Sequence, residues 1–205
     1  MNISQPTSKT LYLIRHGQTD WNVQRKMQGH TNIPLNELGR SQARSIQHFF
    51  AKNPVDKVFS SDLDRAFQTA TIATQFENII RLETLREVNL GAIEGSTEPE
   101  ILSQYGTEAW QKWISLEPHA DFAFPGGETH SQSLKRTLDS LHHLATSHEF
   151  KTAAVCTHGL LIRRLGHHLR PDYSELLPIP NCGIFELQWT EHKIHFHGLI
   201  LDPSV

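Results

Sequence analysis

Cysteine is scarce: Cys156 and Cys182 are the only two in 205 residues. This excludes a disulfide framework, and with no CxxC pair it also excludes the usual redox and zinc-ribbon motifs. Two reduced core thiols in a cytoplasmic protein are the expectation. A basic excess is missing too, since 19 Lys and Arg stand against 22 Asp and Glu, for a net charge of -3. General nucleic-acid binding needs a basic face and is not expected. No apolar run approaches the length that crosses a membrane. Residues 1–9 are polar and lack the apolar centre of a secretory signal, so they read as a flexible N-terminal tail. No linker, repeat or low-complexity stretch divides the remainder, and 10–205 reads as a single domain.

Histidine is plentiful, with 14 copies, yet a metal centre is not expected. His142 with His143, and His167 with His168, are neighbours on expected helices and point in different directions. His195 and His197 share a strand face, but no cysteine or carboxylate joins them at ligand spacing. No acidic cluster suited to magnesium stands out either.

The informative stretch is Thr10-Leu11-Tyr12-Leu13-Ile14-Arg15-His16-Gly17-Gln18-Thr19-Asp20-Trp21-Asn22. Its first half suits a buried strand. At the expected strand end polarity changes, and in open α/β sheets strand ends are where ligands bind. Arg15 can fork onto a phosphate or carboxylate. His16 can attack an electrophile or ligate a metal. Gly17 permits a sharp turn and close backbone approach. The same geometry recurs later. Lys151 to Thr157 reads as a strand, His158-Gly159 follows, and Leu160 to Leu165 reads as a helix.

Between these stretches, a polar loop from Val23 to Pro34 contains Gln28. Asn36 is a plausible N-cap for a helix whose Ala43, Ile46 and Phe50 face the core. Val55 to Ser61 reads as a strand leading into a helix capped by Ser61 or Asp62, with Arg65 in its first turn. An arginine there opposes the helix dipole but lies beside N–H groups that favour anions. A short strand, Ile79 to Leu82, precedes a loop carrying Glu87 and Glu94. Glu87 can act as a proton donor, and Glu94 reads as a loop-pinning carboxylate. Glu98 to Ser115 is helical in pattern, 116–127 is an irregular cover, and a long helix runs to about Ser147. Ile184 to Trp189 and Lys193 to Leu199 read as a closing hairpin.

Leu13-Ile14-Arg15-His16-Gly17-Gln18-Thr19 resembles the signature of the histidine phosphatase superfamily, which includes the phosphoglycerate mutases. Ser60-Ser61-Asp62-Leu63-Asp64-Arg65-Ala66-Phe67-Gln68-Thr69-Ala70 and Thr157-His158-Gly159 resemble its later motifs. The resemblance implies a three-layer α/β/α fold with a central, mostly parallel sheet. It implies His16 as the phosphoryl acceptor, Glu87 as the proton donor, and Arg15, Arg65 and His158 as catalytic cations. Phosphate contacts from Asn22, Gln28 and Gly159 complete the expected site, with no cofactor and no metal. Glu87-Val88-Asn89-Leu90-Gly91 and Gly159-Leu160 depart from the glycolytic mutases, so the small phosphatase branch is the nearer match. The expected activity is hydrolysis of a small phosphorylated metabolite. Mutase, phosphoprotein phosphatase and non-catalytic phosphate-binding readings stand as alternatives.

Overall fold

The computed structural model describes residues 8–115, 121–172, 176–191 and 193–203. The chain opens with strand β1 (Ser8–Arg15) and a single helical turn, α1 (Asp20–Val23). Helices α2 (Glu37–Ser45) and α3 (Gln47–Lys52) precede strand β2 (Lys57–Ser61). Then come α4 (Asp64–Thr74), β3 (Ile79–Leu82), and the long helices α5 (Glu98–Ile114) and α6 (His130–Ser147). Strand β4 (Thr152–Thr157), helix α7 (Gly159–Leu169) and the hairpin β5 (Ile184–Thr190) and β6 (Lys193–Leu201) complete it.

The six strands form one sheet in the order β3-β2-β4-β1-β5-β6. Strands β1 to β4 are mutually parallel, while β5 runs antiparallel to both β1 and β6. Period-two alternation sends successive β1 side chains to opposite faces. Leu11 and Leu13 join a core with Leu141 and Leu144 of α6 and Ile162 and Leu165 of α7. Tyr12 and Ile14 join another core with Ala43 and Ile46 near α2 and Ala66, Ala70 and Ala73 of α4. Helices therefore cover both faces, as the expected three-layer α/β/α architecture requires. A third cluster, with Val88, Leu90, Ile101 and Phe124, packs beneath α5.

The topology positions the site. From β1 the chain crosses to β2 on one side, and from β4 it crosses past β1 to β5. Adjacent strands whose connections depart in opposite directions leave a crevice at their carboxyl ends. Arg15 and Thr157, the last residues of β1 and β4, are register partners.

Several boundaries differ from the sequence expectations. Strand β1 begins at Ser8, so the expected tail does not extend to Lys9. Lys9 is 1% exposed, and its Nζ donates to the carbonyls of Ala145 at 2.6 Å and His148 at 2.7 Å. Asn36 does cap α2, accepting from Gly39 N–H, but the helix breaks at Ile46, whose ψ of 1° ends regular α geometry. The N-cap of α4 is Leu63, with no side-chain cap. Ser61 Oγ instead accepts from Leu63 N–H, and Asp62 pairs with Arg86. Part of the cover segment, 116–120, lies outside the described residues. Its Phe122 packs against Phe124, and Phe124 against Tyr105, within the third cluster. Both cysteines are free and buried. No helix among the described residues is long and apolar enough to cross a membrane.

Candidate active site

Parallel pairing of β1 with β4 brings His16 and His158 together. His16 N–H donates to the carbonyl of Thr157 at 3.0 Å, which continues the ladder one residue past the strand. The imidazole centroids are 5.2 Å apart. His16 Nδ1 lies 2.7 Å from the carbonyl oxygen of Gly17. A carbonyl only accepts, so Nδ1 carries the proton and Nε2 keeps the free lone pair. Gly17 itself serves less as a hinge than as clearance, since a Cβ there would sit 2.5 Å from the carbonyl oxygen of Gly39.

A cavity of about 340 Å³ opens at these strand ends. Its wall carries four basic residues, Arg15, Lys26, Arg65 and Arg163, against one carboxylate, Glu87. A chain of net charge -3 thus concentrates positive charge at one place. His16, Asn22, Gln28, Gly29 and Gly159 also line it. Two hollows of larger volume, about 470 Å³ along α6 and about 670 Å³ beside α1, lack both His16 and the arginines at the strand ends.

Arg65 is fully buried in the first turn of α4. Its Nη2 donates to the carbonyl of Gly29 at 2.7 Å and its Nη1 to that of Thr31 at 2.9 Å. Burial lowers its pKa to about 10, with Glu87 and Glu94 opposing that shift, so it stays cationic at neutral pH. Arg15 donates to the carbonyl of Ile179. Gly159 makes room for it: a Cβ there would lie 3.1 Å from Arg15 Nε.

Among the described residues around His16, four buried nitrogens have no hydrogen-bond partner: Arg15 Nε, Arg65 Nε, and both Nδ1 and Nε2 of His158. Buried polar atoms are nearly always satisfied, so a cluster of orphans in one place calls for an explanation. All belong to groups around His16, and an anion seated there would supply acceptors for the two arginine Nε–H groups and for whichever His158 ring nitrogen carries the proton. His158 is 0% exposed and stands beside His16 rather than on the cavity wall.

Glu87 is held by α7. Its Oε1 accepts from Leu161 N–H at 2.9 Å and its Oε2 from Leu160 N–H at 3.1 Å. The backbone of its loop is fixed from behind. Arg136 donates to the carbonyls of Thr84, Arg86 and Glu87 and pairs with Glu128. Glu94 spends its carboxylate on the N–H groups of His30, Thr31 and Leu90 and on the Thr31 hydroxyl. It therefore pins the loop whose carbonyls grip Arg65. Asn22 and Gln28 use their carbonyl oxygens on Thr19, as acceptors from its N–H and its hydroxyl. Their amide NH₂ groups make no hydrogen bond among the described residues and remain available to a ligand.

The sequence reading missed the outer wall. Trp110, Trp113 and Ile114 of α5 line the cavity together with Leu160 and Arg163 of α7. The tryptophans stood out only as apolar positions of a helix. The backbone of α5 kinks at Gly106 (φ 81°, ψ 165°), which turns the second half of the helix relative to the first. No cluster of three or more His, Cys, Asp or Glu able to hold a metal occurs among the described residues.

Burial, then Arg65 and Arg15, holds the pKa of His16 well below the ordinary imidazole value. Burial, then Arg65 and His16, does the same for His158. Both rings are neutral at neutral pH, so His158 is not the cation that the family resemblance implied, because burial beside Arg65 disfavours its charged form. The native state thus refuses two protons that the unfolded chain accepts below about pH 6.5. Stability is full above that pH and falls as pH drops below it. The loss approaches about 1.4 kcal/mol per pH unit for each histidine until the folded pKa is reached. Urea midpoints measured from pH 7.5 to 5.5 should fall, and H158Q should show a shallower slope. An unchanged slope in H158Q would contradict this.

Comparison with known proteins converges on one family. The family model described as histidine phosphatase superfamily (branch 1) matches residues 11–201. Phosphoglycerate mutase-like protein 4 of Arabidopsis thaliana is 33% identical over 85% of this chain and 76% of its own. Glucosyl-3-phosphoglycerate phosphatase of Mycobacterium tuberculosis is 30% identical over 92% of this chain and 87% of its own. Among solved structures, Bacillus stearothermophilus YhfR superposes with a TM-score of 0.82 at 29% identity, covering 93% of this chain and 96% of its own. Phosphoserine phosphatase from Entamoeba histolytica, in complex with 3-phosphoglyceric acid, gives a TM-score of 0.78 at 26% identity, covering 95% and 98%. With a family match over residues 11–201 and a shared fold over 93% of its length, this chain belongs to the histidine phosphatase superfamily.

Proposed function

We propose that this protein hydrolyses small phosphomonoesters through a phosphohistidine formed on His16, within a single catalytic domain that takes in nearly the whole chain. The observation that carries the reading is the convergence of orphaned donors on Arg15, Arg65 and His158 around an unprotonated His16 Nε2. A phosphomonoester brings about two negative charges at neutral pH. Arg15 and Arg65 bind its oxygens, Asn22, Gln28 and the Gly159 backbone add neutral donors, and His158 contributes a ring N–H. Nε2 of His16 then bonds to phosphorus as the bond to the ester oxygen breaks. Charge spreads over three equatorial oxygens, where fixed cations stabilise it most. Glu87 protonates the departing alkoxide, then takes a proton from the water that cleaves the P–N bond. The free imidazole and inorganic phosphate result. The two free, buried thiols suit a reducing compartment such as the cytoplasm.

Assay of p-nitrophenyl phosphate and 3-phosphoglycerate side by side tests this. Phosphate release from both is expected. Isomerisation of 3-phosphoglycerate with negligible phosphate release would favour a mutase, as in the name of a Proteus mirabilis relative, probable phosphoglycerate mutase GpmB. The role of Glu87 has its own test. E87Q should slow alkyl esters, whose leaving groups are poor, by about 10²–10⁴. It should slow p-nitrophenyl phosphate much less, because that leaving group needs little protonation. Equal losses across leaving groups would remove Glu87 from the proton-transfer role.

A further inference from the structure

The residue after the nucleophile has to be a glycine, because a Cβ at Gly17 would collide with the carbonyl of Gly39. Glycine is also the most permissive residue of a backbone, yet it is the Gly17 carbonyl that fixes the proton on Nδ1 of His16. Rigidity here must come from the two peptide planes that flank the glycine. Each is held by side chains from elsewhere in the fold. In the His16–Gly17 peptide, the N–H donates to Thr69 Oγ1 at 2.9 Å and the carbonyl accepts from Asn181 Nδ2 at 3.0 Å. In the Gly17–Gln18 peptide, the N–H donates to Gln42 Oε1 at 2.9 Å.

Asn181 stands out among these three. It lies in a turn closed by the Gly183 N–H on the carbonyl of Pro180. An asparagine in a turn commonly bonds its own local backbone. This one reaches a carbonyl 165 residues away in the chain. The next residue, Cys182, is buried and has φ 57°, a left-handed backbone that is uncommon outside glycine and marks a conformation held by its surroundings. In that conformation its N–H meets the carbonyl of Arg15 at 3.0 Å, while the Gly183 carbonyl accepts from Arg15 N–H at 3.1 Å. The Cys182 N–H is also 3.4 Å from the carbonyl of His16, which leaves Asn181 as the closer donor to it. Asn181 does not line the cavity, so contact with an ester does not explain it.

We infer that Asn181 is a positioning residue for the nucleophile: its amide N–H holds the His16–Gly17 peptide, keeps the Gly17 carbonyl on Nδ1–H, and so leaves Nε2 free to attack. This rests on the phosphohistidine reading and adds to it the group that maintains the attacking tautomer. Which ring nitrogen of a histidine carries the proton is set by the hydrogen bond that the other makes. Without the amide, the glycine peptide turns, the carbonyl leaves Nδ1, and the ring can carry its proton on Nε2, which then has no lone pair to give.

N181A tests this. The single-turnover rate of p-nitrophenol release from p-nitrophenyl phosphate should fall by about 10–100-fold. Affinity for inorganic phosphate should stay within about threefold, because Arg15 and Arg65 are untouched. Nitrogen-15 NMR of the free protein supplies a readout that a merely structural role would not move. Wild type should show His16 as Nδ1–H, and N181A a mixture with Nε2–H. If N181A does not fold, N181D decides: it keeps the size and turn preference of asparagine but has no N–H to give, and must show the same losses. A rate within about threefold of wild type, an unchanged tautomer balance, or a loss of phosphate affinity as large as the loss of rate overturns the inference. The tautomer measurement needs no turnover, so the two readings fail separately. Absence of labelled phosphohistidine on wild-type protein would count against the reaction, whereas a pure Nδ1–H tautomer in N181A would count against Asn181.

Discussion

H16A protein should lose turnover by about 10⁴-fold or more on every ester, because no second group stands where it could hold the phosphoryl group. The nearest candidate is His158, whose ring centre is 5.2 Å away; it is fully buried, where it can donate one ring N–H to a bound phosphate but lacks the open approach to phosphorus that His16 has from the cavity wall. The loss should fall on kcat, since Arg15 and Arg65 still bind phosphate. A brief incubation with labelled substrate, quenched in base, should leave acid-labile label on wild-type protein and none on H16A. Label that persists on H16A, or activity within about tenfold of wild type, would transfer the nucleophile elsewhere. The pKa direction adds a pH signature. A neutral His16 well below pH 6.5 implies that nucleophilicity survives into mildly acidic solution. The acid limb of kcat/KM should therefore fall below pH 6.5.

R65M should cost about 10²–10³ in kcat/KM, roughly 3–4 kcal/mol of transition-state stabilisation. This arginine does two things at once. Its Nε faces the orphan cluster, while both Nη groups hold the carbonyls of Gly29 and Thr31. Removing it strands those carbonyls, at about 1–3 kcal/mol each where they stay buried. Activity and stability should fall together in R65M. R65K should separate them. It keeps a cation for the phosphate but offers no fork to two carbonyls at once, so it should recover part of kcat/KM and less of the stability. A folded R65M protein with wild-type kcat/KM would reduce Arg65 to a loop staple. Orthovanadate affinity, measured in parallel, reports on the anion seat without requiring turnover.

What could be read in the sequence was whatever depended on short-range chemistry. His16 and His158 each follow an apolar strand and precede a glycine, and strand ends in such sheets face ligands. Arg65 stood out because a cation in the first turn of a helix is electrostatically misplaced. Glu87 and Glu94 share one loop, and their different tasks are now visible in what they touch: Leu160 and Leu161 of α7 for one, the His30–Thr31 backbone for the other. Long-range arrangement was not legible. Trp110 and Trp113 look like ordinary core positions until the kink at Gly106 turns them to the cavity. Arg163 and Arg164 are adjacent and chemically identical. One lines the cavity, while the other is buried against Ser133 and Thr129. Nothing in local pattern separates them. The break between α2 and α3 was equally hidden, because Ala43, Ile46 and Phe50 keep helical spacing across it.

Strand β4 is inserted between β1 and β2, although both are made long before it. A chain emerging from the ribosome therefore has no native partner to place between those two strands until its final quarter has been synthesised. Until then each offers an open ladder edge to whatever strand is at hand, and such edges invite misassociation. Pairings so distant in sequence also slow the search for the native topology. Late truncations should accordingly yield insoluble product rather than a partly working enzyme, and demand for chaperones should peak before residue 152 has emerged.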